Sequence, residues 1–501
     1  MKQARFLMGI DNGGSNIKSV LFDLDGNEIA AASVIPPTDQ PGGGFVQRDP
    51  EAVWQCNCSV IAEVLRKSGI HPSQITAVSL CGYGGGACLL DQHGTAVYPV
   101  IVSTDTRAHS QIEAMDREGA SEQIFSITHQ YPWEGQPAPL LRWFREERPD
   151  ILAQVRYYLS IKDYIRSRLT GVLSTELTDA SNNNLIDPAT RSFSDRLFVL
   201  SGLERERALF DLPLVISSQL VGYVTEQAAK ETGLAPGTPV AAGIYDVSSC
   251  TLGCGALAAG SLALTNGTWS MASYLSTSYA DAADSSIVTV SPIEDQFLVE
   301  QGSATGTVNL NWYLNQFVSK IYPGRTIEQI YDICTDVVQT PDPKNEIVFV
   351  PYLYASGTVP DAKGAFLNLS GHHSDRDLLY AVMEGILLSA QRHIVLLAQG
   401  KKPFREAFLS GGVSASPAWS QMFCDMLQMP VSIMKGTQQG AKGAAMCAGI
   451  AAHEFDSFEQ AVKALSHPQT TLCPRKKYSD LYIGRAEKFQ KALQALDLFH
   501  H

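Results

Sequence analysis

A strand, a glycine-bearing turn and a second strand open the chain and recur just past its midpoint. This recurrence constrains the fold more than any other feature. In the first copy Phe6–Ile10 and Ile17–Phe22 flank Asp11-Asn-Gly-Gly-Ser-Asn16, and Asp25-Gly26 turns the chain again into Glu28 to Val34. In the second copy, Gly260-Ser-Leu-Ala-Leu-Thr-Asn-Gly-Thr-Trp-Ser270 repeats strand, Gly-containing turn, strand. Asn12-Gly13-Gly14 can take positive φ and expose N–H groups to phosphate oxygens, while Asp11 can hold Mg²⁺ through water. An ordinary hairpin accounts for the same residues, because Asn-Gly suits tight turns. Two such tips facing each other across a cleft would clamp a nucleotide.

Between the copies lies Pro239-Val-Ala-Ala-Gly-Ile-Tyr-Asp-Val-Ser-Ser249. Val240 to Ile244 reads as a buried strand, Gly243 permits close backbone approach, and Asp246 arrives where a helix should begin. A carboxylate delivered from the end of a rigid strand is held still, as a proton acceptor needs to be. The alternative is that Asp246 caps the following helix. A hinge is expected near residues 244–256, since no linker rich in Pro, Gly or Ser separates the halves.

Length and composition exclude several classes. At 501 residues, two to four domains of ~100–200 residues are expected. A net charge of −13 argues against general binding to nucleic acid or anionic membranes. An anionic ligand must then be attracted by local N–H groups, helix N-termini and metal. No stretch approaches the ~20 apolar residues of a membrane span. The N-terminus reaches Asp11 too soon for a signal peptide, so a cytoplasmic location is expected. The ten cysteines are scattered, which points to reduced thiols rather than disulfides or a structural zinc site.

Other stretches supply scaffold or ligand contacts. Asp49-Pro50-Glu51 reads as N-cap, first helical position and first-turn acid. Cys81-Gly-Tyr-Gly-Gly-Gly86 breaks a strand begun at Ile75, and its glycines suggest close approach of a ligand or another strand. Asp105 and Arg107 either grip hydroxyls or form a local ion pair. Residues 121–180 look helical, Tyr158–Ile165 included, with Gly171 a stop. Trp133, beside Pro132 and Gly135, suits the apolar face of a sugar. Ser374-Asp-Arg-Asp377 starts a long helix that Gly400 ends. Glu406–Ser410 enters Gly411-Gly412, a turn whose backbone can lie against a base or ribose, before a helix starting at Ser416-Pro417. The small-residue helix opened by Gly440-Ala-Lys-Gly-Ala-Ala445 suits close packing. The chain has no P-loop.

In this order the pieces resemble the FGGY family of carbohydrate kinases, nearly end to end. The residues that carry the resemblance include Gly9-Ile-Asp-Asn-Gly-Gly14, Asp163-Tyr164 with Leu169-Thr-Gly171, Thr178-Asp-Ala-Ser181, Gly243-x-x-Asp246, Asn266-Gly-Thr268, Gly411-Gly412 and Gly440-x-x-Gly-Ala-Ala445. The resemblance implies two ribonuclease-H-like, actin/hexokinase-type α/β domains around a central cleft, divided as residues 1–245 and 246–501. It implies a cytoplasmic kinase that uses ATP and Mg²⁺, and leaves a homodimer open.

By the same resemblance Asp246 matches the catalytic base and Asp11 the metal site. Gly13, Gly14, Ser15, Asn16 and Lys18 belong to the first phosphate loop, Gly267 and Thr268 to the second, and Gly411, Gly412 and Ser416 to the adenosine turn. Tyr83, Gly84, Gly85, Asp105, Arg107, Trp133 and Tyr245 are the expected sugar contacts. The combination of Ser103-x-Asp105, Trp133-x-Gly135, Gly243-Ile-Tyr-Asp-Val247 and Gly267-Thr-Trp269 is most similar to L-xylulose kinases, and many members place larger side chains where Gly84-Gly85 stand. Polyol kinases for erythritol or glycerol and D-xylulose kinases stay open. From another class, so does a non-kinase actin-type protein gated by ATP.

Overall fold

The computed structural model describes residues 5–279, 282–283, 286–354, 362–399 and 404–500. Each half of the chain forms a mixed seven-stranded sheet. In the first, Phe6–Asn12, Ile17–Asp23 and Glu28–Val34 make an antiparallel meander, and Ile75–Gly82 lies parallel to the first of these strands. Pro239–Ala241 continues the parallel part, and Leu220–Tyr223 closes the edge antiparallel. In the second, Ser261–Asn266, Ser270–Ser276 and Phe297–Ser303 repeat the meander, with Glu406–Gly411 and Val431–Met434 as the parallel strands. Ile287–Val290 and Pro468–Leu472 form its edges.

The repeat extends to register. Asn12 pairs with Ile17 across its hairpin and with Gly82 on the parallel side, and Asn266 pairs with Ser270 and Gly411 in the same two directions. Each first hairpin therefore stands beside the glycine-rich end of a parallel strand. These are two ribonuclease-H-like α/β domains, as the recurrent strand–turn–strand pattern and the resemblance imply.

Two helices rich in small residues join the halves. Asp246–Gly253 packs on Gln439–Ala451, which also covers the first sheet. Glycines make the approach possible: a Cβ on Gly9 would fall 1.8 Å from the Ala441 carbonyl oxygen, and one on Gly443 2.1 Å from that of Ser249. The Ser249 hydroxyl donates to the Gly440 carbonyl at 2.6 Å, and Thr251 and Ser273 hydroxyls meet at 2.7 Å. The junction helix is thus tied to both halves.

Several local expectations hold. Asp49 caps the helix Pro50–Ser68, Gly171 ends Ile161–Thr170 at φ 73°, and Ser374 and Asp377 form a reciprocal capping box. Others do not. Residues 121–180 are broken by strands Tyr157–Leu159 and Thr175–Glu176, the former pairing with Cys88–Leu90, so tertiary pairing overrides the helical spacing around Tyr158. Gly13 and Gly14 lie outside the positive-φ region, because the first hairpin closes by a Gly13 N–H to Asn16 carbonyl bond at 3.0 Å. Asp375–Ala398 is long and apolar enough to cross a membrane by length and composition, contrary to expectation, but most of it is buried in the second core. Gly400, expected to end that helix, lies outside the described residues.

Candidate active site

Asp246 is the first residue of its helix, and the N-cap position belongs to Tyr245, which makes no side-chain cap bond. The capping alternative for Asp246 therefore fails. Ile244 and Tyr245 pair with Cys81 and Gly82, which fixes the chain up to the turn. Gly243, at φ 93°, is required there: a Cβ would lie 2.5 Å from the Leu80 carbonyl oxygen. Asp246 keeps partial solvent access in a deep setting. Burial pushes its carboxyl well above the ordinary range, and Asp11, Glu300 and Asp179 push it the same way.

Asp11 stands near the end of the first strand, with Lys18 Nζ 3.9 Å from its Oδ2. Burial raises its carboxyl, against the pull of Lys18. A Cβ on Gly440 would lie 3.2 Å from Asp11 Oδ2 and 3.4 Å from Cys250 Sγ, so this carboxylate sits near the Asp246 helix at Cys250. Gly14 and Ser15 are exposed at the hairpin tip and Gly13 and Asn16 are half-buried. Beneath the tip, the buried Arg48 donates to the Gly14 carbonyl and, at 3.0 Å, to the Thr38 hydroxyl. Among the described residues no group of three His, Cys, Asp or Glu side chains forms a metal cage. One partly accessible carboxylate beside a phosphate-sized turn fits Mg²⁺, which takes one or two carboxylates and completes its shell with water and phosphate oxygens.

In the second hairpin, Gly267 and Thr268 are partly or fully exposed. The Gly267 carbonyl accepts from the Thr307 backbone at 2.6 Å and its hydroxyl at 2.9 Å. Gly411, at φ 87°, lies over the Asn266 backbone, and Gly412 lies against Thr307. Asn266 and Thr307 thereby bring the expected phosphate loop and adenosine turn together. Asn266 is buried with neither side-chain polar atom partnered in the protein. Ser416 serves as N-cap of Pro417–Leu427.

Around the triple glycine, the expected acceptor contacts converge. A Cβ on Gly84 would meet Asn182 Oδ1 at 2.0 Å and the Tyr245 ring at 2.8 Å. Gly85, at φ 73°, and Gly135 hold the Trp133 ring between them. The Tyr83 hydroxyl is buried without a protein partner. Asp105 and Arg107 are the exception. They form a bidentate pair at 2.8 Å with neither side chain exposed, and Arg107 also stacks on Phe45 and donates to Gln47 and Tyr98. The expectation that they grip hydroxyls is corrected to the local ion pair.

Sequence reasoning missed Asn182, Arg48 and Glu300. The run Asn182-Asn183-Asn184 was a visible signal, since three consecutive amides in a buried helix end need partners or a ligand. Nothing in Phe297–Ser303 marks Glu300 as reaching Tyr245.

The chain matches the N-terminal domain of the FGGY family of carbohydrate kinases over residues 6–253 and the C-terminal domain of that family over residues 262–452. It is 29% identical over 498 residues to the "L-xylulose/3-keto-L-gulonate kinase" of Escherichia coli (strain K12), covering 99% of this chain and 98% of that one. It is 31% identical over 497 residues to a "Probable L-xylulose kinase" of Pasteurella multocida (strain Pm70), covering 98% and 99%. The crystal structure of xylulose kinase from Rhodospirillum rubrum superposes with a TM-score of 0.85 at 23% identity, over 99% of this chain and 100% of that one.

Proposed function

The chain belongs to the FGGY family of carbohydrate kinases, and from that premise we propose that it transfers the terminal phosphoryl group of ATP to a primary hydroxyl of a ketopentose resembling L-xylulose. The family assignment sets aside the non-kinase actin-type reading. One observation carries the mechanism: Asp246 stands at the start of the helix that joins both halves, within electrostatic reach of Asp11 and one residue from Tyr245.

Phosphoryl transfer asks little covalent chemistry of a protein, so positioning and charge stabilisation supply most of the acceleration. Asp246 accepts the proton of the attacking hydroxyl. The burial that raises its carboxyl makes its ionised form a stronger base than a surface aspartate. Exposed groups at Gly13–Asn16 and Gly267–Thr268 hold the phosphates. Gly411-Gly412 gives a flat backbone surface for the adenosine. Mg²⁺ held through Asp11 would neutralise phosphate charge. On the acceptor side, Trp133 offers an apolar face, and Gly84 and Gly85 leave room that larger side chains would occupy. The named L-xylulose kinases among its relatives support that substrate class.

A coupled ADP-release assay over pentuloses, tetritols and glycerol tests the substrate, and highest kcat/KM outside the pentuloses overturns it. In the same assay Asp246→Asn lowers kcat by ~10²–10⁴ with little change in the KM for ATP. Turnover near that of the unaltered enzyme removes Asp246 from the role.

A further inference from the structure

Resting on the reading of Asp246 as proton acceptor, we propose that Glu176 and Thr178 are positioning residues for that carboxylate, acting through the backbone of residues 243–245. Each Glu176 oxygen accepts a hydroxyl proton, Oε1 from Ser217 at 2.7 Å and Oε2 from Thr178 at 2.7 Å. These two partners hold the strand that delivers the base. The Ser217 carbonyl accepts from Gly243 N–H at 3.1 Å, and Thr178 Oγ1 accepts from Tyr245 N–H at 2.9 Å. Arg166 donates to the Ala242 carbonyl at 2.5 Å.

The helix start has no local clamp, because Tyr245 makes no side-chain cap bond. Thr178 supplies from a distant segment the acceptor that a capping-box side chain would give to the N-cap N–H. With its proton committed to Glu176, the Thr178 hydroxyl must turn a lone pair toward Tyr245.

Glu176 is in turn fixed by charge. Lys162 Nζ lies 2.9 Å from Asp163, 3.3 Å from Glu176 and 2.7 Å from Asp179, and Arg166 lies 2.5 Å from Asp163, with every side chain at most 1% exposed. A buried cluster of this kind gains little over apolar packing and is strongly disrupted by loss of one member. Its hydrogen bonds converge on the chain immediately before Asp246.

Thr178→Val keeps the shape and removes the acceptor. The expected result is a ~10²-fold fall in kcat, the cost of a misplacement of about an ångström, with both KM values changed by less than about threefold. Thr178→Ser restores kcat to within about threefold of the unaltered enzyme, because the hydroxyl returns. Glu176→Gln falls with Thr178→Val, since an amide has one oxygen for two hydroxyl donors. If Thr178→Val does not fold, Ser217→Ala carries the test, with an expected kcat loss of ~10-fold. Thr178→Val or Ser217→Ala at full kcat overturns the proposal, as does Thr178→Ser failing to rescue. Asp246→Asn is assayed alongside: if it is crippled while those variants stay active, only the positioning role fails. If Asp246→Asn itself stays active, the base assignment fails first.

Discussion

The Tyr245 hydroxyl donates to Glu300 Oε1 at 3.0 Å, linking the residue before Asp246 to a strand of the second sheet. Glu300 is 1% exposed, and its other oxygen has no protein partner. Burial pushes its carboxyl up to about 8, although the Tyr245 bond works the other way. In the unfolded chain the same group loses its proton near ~4.3.

The native state therefore holds the extra proton between those values. Stability from this group is complete below the unfolded pKa and is lost as pH rises through about 8. Glu300→Gln removes that contribution. Thermal unfolding across this window is expected to show a shallower decline with pH in the variant than in the unaltered protein. Parallel curves would show that Glu300 ionises normally in the native state.

Asp105 and Arg107 test whether a buried pair near the acceptor site belongs to binding or to the frame. Asp105 also accepts from the Val46 N–H at 2.6 Å, so it holds the strand Phe45–Arg48 as well as the guanidinium. Asp105→Asn leaves a buried cation short of its partner, which costs ~3–5 kcal/mol in such settings. The expected outcome is a large loss in urea unfolding with the acceptor KM changed by less than about threefold. A large KM increase at unchanged stability would return Asp105 to the acceptor site.

Much of the fold is legible in the sequence because its signals are local. The two hairpins, the Asp49-Pro50 and Ser374–Asp377 helix starts and the Gly171 stop are each set within a few residues. Asp246 was legible for the same reason, as a charge closing an apolar strand. The helical reading of Tyr158 failed because Cys88–Leu90, nearly 70 positions away (about 68–70), recruits that stretch as a strand. Glu300 and Thr178 act through partners 55 and 67 positions distant, and no spacing rule reaches that far. The glycine-rich tip is legible as a turn but not in its dihedral angles, since Asn-Gly-Gly permits positive φ without requiring it.

Asp11 offers a direct test of the metal assignment. Removing its charge leaves Lys18 without its carboxylate partner and the proposed Mg²⁺ site without its one protein anion. Asp11→Asn is expected to raise the Mg²⁺ concentration for half-maximal rate by at least ~10-fold, which is the scale of one lost charge-assisted contact. The acceptor KM measured at saturating Mg²⁺ stays within about threefold. An unchanged Mg²⁺ dependence would move the metal elsewhere.

Two glycines separate steric need from turn chemistry. Gly84 lies outside the positive-φ region, so alanine there is opposed only by its neighbours, yet its methyl would meet Asn182 Oδ1 at 2.0 Å and the Tyr245 ring at 2.8 Å. One of the two must move, and overpacking of this kind costs ~1–3 kcal/mol. If that displacement falls on the acceptor, its KM rises by ~10-fold or more while the KM for ATP holds. Gly14 also has an ordinary φ, but a methyl there meets nothing within 4 Å. Gly14→Ala is accordingly expected to leave both KM values within about threefold, because the exposed tip has room and its N–H groups are kept. The pair is informative because both positions are glycines in loops beside Asn12 or its parallel partner strand. A selective acceptor defect at Gly84, with Gly14 neutral, places the sugar against the Asn182–Tyr245 wall. Equal effects at both would mean that the triple glycine serves the phosphates instead.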